Sequence, residues 1–199
     1  MAEEIRKTEI VENLIGFPYE SYSEFKKKWN SGNIQMGVDF RLAREWAMSG
    51  GLYVPGTLTV LLNLVNLSMF SSLIGFIIYV FIIKSYLYLL ALPLLVIGFF
   101  LAHPVFSRNS GCLSPGYFLL TGAGFFWAVC SGNYGVLGIT ACIFFIWLCA
   151  KIIYSTSLQA LLNAAATHED LFCRLWDSGQ IRIISENGEV FMMPLQGRL

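Results

Sequence analysis

Between Val54 and Ala150 the sequence has no aspartate and no glutamate, and only Lys84 and Arg108 carry positive charge there. That absence excludes a water-soluble fold for the stretch, because a globular surface needs polar cover. Hydrocarbon removes the need. The whole chain is 13% charged, 56% hydrophobic and 15% aromatic, where soluble domains carry about a quarter charged residues. A polytopic membrane protein, with the lipid bilayer as its first partner, is therefore expected. Net charge is lacking as well, since 13 basic residues balance 13 acidic ones. This argues against nucleic acid as a partner.

Chemistry-bearing patterns are also scarce. The five cysteines are Cys112, Cys130, Cys142, Cys149 and Cys173, and no two form a C-x-x-C pair. Cys142 and Cys149 lie seven apart and share a helix face, which suits small packing residues. His103 and His168 stand alone, without the spacing of a metal site. No P-loop, Gly-x-Ser-x-Gly or His-Glu-x-x-His run occurs. No carboxylate falls within the apolar stretches, so coupling through a buried acid is not expected. Ser71 and Ser72 have no base placed beside them on these helices. No enzymatic activity, cofactor or metal is expected.

The start, Met-Ala-Glu-Glu-Ile-Arg-Lys, has no short apolar core with a small-residue cleavage site. The first apolar helix is thus expected to act as its own membrane signal. Without a Met-Gly start or a C-terminal cysteine box, no lipid anchor is expected.

What is present is a set of four apolar stretches, Thr57 to Ile83, Tyr86 to Phe106, Pro115 to Cys130 and Tyr134 to Tyr154. A span needs about 20 residues, and backbone in lipid must bond within its own helix. Pro93 predicts a kink in the second stretch, and Ser114-Pro115 predicts the start of the third. Short links, Lys84-Ser85 and Ser131-Gly132-Asn133, group the stretches into two hairpins. With the N-terminus inside, every basic residue except Lys84 falls on the cytosolic side, a strong bias by the positive-inside rule. The expected class is an all-α membrane protein with four transmembrane helices in two hairpins. Both termini are cytosolic and add small α+β elements.

Three regions follow: a head over residues 1–55, a membrane domain over 56–154, and a stalk helix with a β-hairpin over 155–199. In the head the apolar spacing predicts helices at about residues 5–15, 19–29 and 39–48, with an extended piece at 33–38. Leu158, Leu161, Leu162, Ala165, Phe172 and Leu175 continue a helical period past the membrane, so the stalk is predicted to end near Asp177, with Gly179 as the stop. Asn187-Gly188 between apolar runs predicts a hairpin.

One internal echo stands out. Phe25, Trp29, Ser31, Gly32 and Ile34 recur at identical spacing as Phe172, Trp176, Ser178, Gly179 and Ile181, and Lys27 aligns with Arg174. Each copy reads as a helix, a Ser-Gly stop and a strand. Two such units are expected to pack together and pair their strands.

Three groups of candidate site residues remain. Thr59, Asn63 and Asn66 share one arc of the first apolar helix, as a polar path or as interhelical hydrogen bonding. Gly122, Gly124 and Ala128, with Gly135 and Gly138, offer small surfaces for helix packing or self-association. Phe25, Trp29, Trp46, Phe172 and Trp176 are candidate cytosolic contacts, since aromatics anchor interfaces. Lys26, Lys27 and Lys28 beside Tyr22, Phe25 and Trp29 suit either anionic lipid or a solvated face. The expected role is a non-catalytic scaffold or accessory subunit that joins other membrane subunits. The alternative is a small homo-oligomeric transporter or channel near Asn63 and Asn66.

Overall fold

The computed structural model describes residues 14–93, 95–96 and 110–193. The helix expected at residues 5–15 lies almost wholly outside them. Side chains of residues 110–118 and 120 are likewise not described. The protein is mostly helical with one small sheet. Its contacts divide it into two units, one built from both ends of the chain (residues 1–56 and 157–199) and one from the middle (57–156).

The first unit is the head. Helix α1 (Tyr22–Asn30) starts where the Ser21 hydroxyl accepts from the Glu24 amide, satisfying one of the free donors of the first turn. It stops at Ser31, and Gly32 takes φ +78°, a conformation that costs glycine nothing. Strand β1 (Ile34–Val38) follows. Helix α2 (Phe40–Ser49) is capped by the Asp39 carboxylate on the Arg41 amide, buries Ala43 and Ala47, and ends at the left-handed Gly50.

From the other end of the chain, helix α6 (Glu169–Asp177) leads through Ser178 and Gly179 into strand β2 (Ile181–Ser185), which turns back into β3 (Val190–Met192). The three strands form an antiparallel sheet in the order β1-β2-β3. Apolar side chains alternate toward the core, so Ile34, Met36, Ile181 and Ile183 are buried and Gln35 and Arg182 are exposed.

The second unit holds helices α3 (Gly56–Ile82), a 3-10 turn at Tyr86–Ala91, α4 (Ser110–Ser131) and most of α5 (Tyr134–Thr167). Among the described residues, two helices rather than four are long and apolar enough to cross a membrane, α3 and α5. The 27 residues of α3 span about 40 Å at 1.5 Å per residue, more than the ~30 Å hydrocarbon layer. Only 17% of its apolar window is buried, where a soluble core helix would be mostly covered. Its buried residues, Leu62, Met69 and Phe76, repeat every seven positions, while Val60, Leu64, Leu67, Ile74, Ile78 and Phe81 face outward. One seam packs and the rest is an apolar exterior, the arrangement lipid tolerates.

The structure revises several sequence expectations here. The second expected stretch begins as the 3-10 turn, and most of it lies outside the described residues. Helix α4 starts at Ser110, not Ser114, and runs through Pro115. A proline that early removes only one bond of the helix. The stalk is not continuous to Asp177. It breaks at His168, which takes an extended conformation at the start of α6.

Candidate functional site

The head is organised by the repeat. Helix α1 and helix α6 are each nine residues long, and their C-caps Ser31 and Ser178 share nearly the same angles (φ −79°, ψ −8° and φ −80°, ψ −2°). In both, the cap amide reaches back to the equivalent carbonyls of Lys27 and Trp29, or Arg174 and Trp176. The strand register carries the relation further. Met36 faces its own equivalent Ile183, while Ile34 faces Ser185 and Val38 faces Ile181. Ile34 is equivalent to Ile181, and Val38 to Ser185, so each outer pair is the other with its partners exchanged. A local two-fold axis through Met36 and Ile183 produces this pairing and no other. The two equivalent phenylalanines, Phe25 and Phe172, meet with ring centroids 4.7 Å apart.

The repeat explains where the candidate contact residues went. Phe25, Phe172 and Trp176 have no exposed surface at all. They form the aromatic centre of the head with Phe17, whose ring lies 5.5 Å from both Phe172 and Trp176. The Trp176 indole donates to the Ile15 carbonyl at 3.2 Å. As docking residues these three are therefore corrected to core residues, because a helix face that packs against its own repeat cannot also meet a partner. Trp29 and Trp46 are half-buried, and Trp46 spends its indole proton on the Leu52 carbonyl at 3.1 Å.

The segment after α2 is tied down. Tyr53 adopts φ +65°, strained for a residue with a side chain. Its ring stacks on His168 at 3.7 Å, and its hydroxyl donates to Asp170 Oδ2 at 2.8 Å, which pushes the phenol's pKa above its ordinary value. Deeper in the head, Tyr22 donates to the Ala165 carbonyl at 2.6 Å, and burial with the nearby Glu169 holds its proton well above the usual tyrosine range. Tyr19, Lys28, Asn33, Ile34, Ser185, Glu186 and Asn187 line a half-open polar hollow of about 270 Å³ at one end of the β1–β2 pair. Sequence reading missed this hollow, whose residues come together only through the strand pairing.

In the second unit three glycines act as notches. A Cβ at Gly135 would strike the Tyr88 ring, one at Gly138 the Tyr79 ring, and one at Gly124 the Thr140 methyl. Tyr88 donates to Asn133 Oδ1 and Tyr79 to the Tyr134 carbonyl, both at 2.7 Å. Ala128 is buried. Gly122 meets nothing, a correction to the expected packing face. Two residues from Gly124 is about 200° around a helix, which is the opposite side.

Thr59 and Asn66 are half-buried, whereas Asn63 is exposed and donates to the Thr59 carbonyl of its own helix at 2.9 Å. Cys142 and Cys149 are buried, Cys142 against the Ser72 carbonyl and Cys149 against the Ser68 hydroxyl. Among the described residues no cluster of His, Cys, Asp and Glu is grouped to hold a metal. No protein-family model matches the chain, and no curated protein or solved structure shows significant similarity to it.

Proposed function

We propose that this chain is a non-catalytic, multi-pass membrane subunit whose head docks other proteins on the cytosolic side. One observation carries the reading. The segments before α3 and after α5 close into a single unit by strand pairing. Two ends that share one sheet lie in one aqueous compartment, so the chain between them crosses an even number of times. The abundance of basic residues in these ends, against a lone Lys84 in the first link, sets that compartment as cytosolic. A structured head on a membrane domain poor in ionisable groups suits docking better than transport or catalysis.

The test is cross-linking in native membranes followed by purification in mild detergent. A stable heteromeric complex linked through head residues is expected. A lone monomer with no cross-linked partner would contradict the proposal.

Asn63 favours a second reading. An amide on the outer face of an otherwise apolar helix is costly in lipid and gains from cover by another copy. That arrangement would suit a homo-oligomeric transporter or channel, which requires solute flux in liposomes containing only this protein.

A further inference from the structure

The local two-fold of the head is incomplete at one place. Strand β2 is paired on both sides, by β1 and by β3, whereas β1 is paired only by β2. The Ser185 amide bonds to the Glu189 carbonyl, on the β3 side. Backbone direction alternates along an antiparallel strand, so Ile181, Ile183 and Ser185 turn toward β3, and Arg182 and Ile184 turn toward β1. Their partners Gln35 and Gly37 answer them. This leaves the peptide groups of Ile34, Met36 and Val38 facing away from the sheet. Among the described residues nothing bonds to them, and they are the equivalents of the three β2 residues that face β3.

The chain explains why the fourth strand is absent. In the second copy, the segment after the strand turns at Glu186–Gly188 and returns as β3. In the first copy, Asp39 follows Val38 directly and caps α2 instead.

The chemistry of a missing strand can be read from what lies beside it. Arg182 lies flat across Gly37, its Nε 2.7 Å from where a Cβ would stand. The glycine is the gap that lets the guanidinium reach over β1. Arg182 is exposed, and no acidic side chain among the described residues pairs with it. On the other face, Met36 is buried in the core, as is its equivalent Ile183, opposite which Phe191 packs on the same core.

We infer that the outer edge of β1 accepts an extended segment of a partner protein, added as a fourth antiparallel strand. That segment carries an apolar residue opposite Met36 and an acidic residue facing Arg182. The inference rests on the docking reading above and narrows it to one edge and one ligand chemistry.

The experiment uses the full chain in nanodiscs and two fluorescent seven-residue peptides, one alternating valine with glutamate and the other valine with lysine. The glutamate peptide is expected to bind and the lysine peptide not. Arg182→Glu is expected to weaken the glutamate peptide by about tenfold or more and to create binding of the lysine peptide. Val38→Pro removes one outward amide without touching the β1–β2 ladder, and a loss of about fivefold is expected.

Failure of both peptides to bind, or binding indifferent to both substitutions, would overturn the inference. Concentration-dependent dimerisation abolished by Val38→Pro would also overturn it, by making a second copy the occupant. Photo-cross-linking from Gln35 and from Lys26 in native membranes separates the two levels. Adducts from Lys26 alone would sink the edge site and leave the docking reading standing. Adducts from neither would sink both.

Discussion

Tyr22 shows what a single residue contributes to the head. Its hydroxyl is bonded to Ala165, and its pKa lies well above the ordinary 10.0 because of burial first and Glu169 second. The folded head therefore keeps this proton at a pH where the unfolded chain has released it. The sign follows from linkage: the stabilisation is complete below about pH 10 and is lost as pH rises beyond it. Tyr22→Phe is expected to cost about 1 kcal/mol at neutral pH and to flatten the alkaline fall of stability, read from denaturation midpoints between pH 8 and 11.

The glycines make a second residue-scale case. Gly135→Leu drives a side chain into the Tyr88 ring and is expected to destabilise the detergent-solubilised protein by roughly 1–3 kcal/mol. Gly122→Leu enters open space and is expected to leave the melting temperature nearly unchanged. The sequence could name these glycines as small but not say what filled them, because Tyr79 and Tyr88 reach them from distant positions. For the same reason Phe25, Phe172 and Trp176 read as possible contacts. Amphipathic spacing marks an apolar face without saying whether the cover comes from the same chain.

At the scale of elements, local chemistry was largely legible. Ser21, Asp39, Gly32, Gly50 and Gly179 start and stop helices where capping rules place them, and Asn187-Gly188 turns the hairpin. Asp39→Ala removes the cap of α2 and is expected to lower head stability by about 1 kcal/mol. Thermal unfolding followed by helical circular dichroism, with Asp39→Asn as the conservative control, measures this. The echo of Phe25 to Ile34 in Phe172 to Ile181 was also legible, and the paired strands realise it.

The break at His168 was hidden, because apolar period continues on both sides of it. Its only sequence trace is the pair Glu169-Asp170, acids in the first turn of a new helix. The stacked and hydrogen-bonded Tyr53, 115 positions away in sequence, holds the break from across the fold.

For the whole molecule, the poverty of charge between Val54 and Ala150 gave the membrane class, and α3 and α5 carry it. What sequence order concealed was that the first and last regions are one unit rather than two. Strand pairing between positions so far apart leaves no local signal, and only the repeat hinted at it. That shared head is the central claim.

Labelling with a membrane-impermeant maleimide tests it most directly, in sealed vesicles of both orientations, on a chain with its native cysteines replaced and one cysteine introduced at Lys26, Glu186 or Lys84. Positions 26 and 186 are expected to react from the same, cytosolic, face, and position 84 only from the opposite one. Reaction of 26 and 186 from opposite faces would contradict the account.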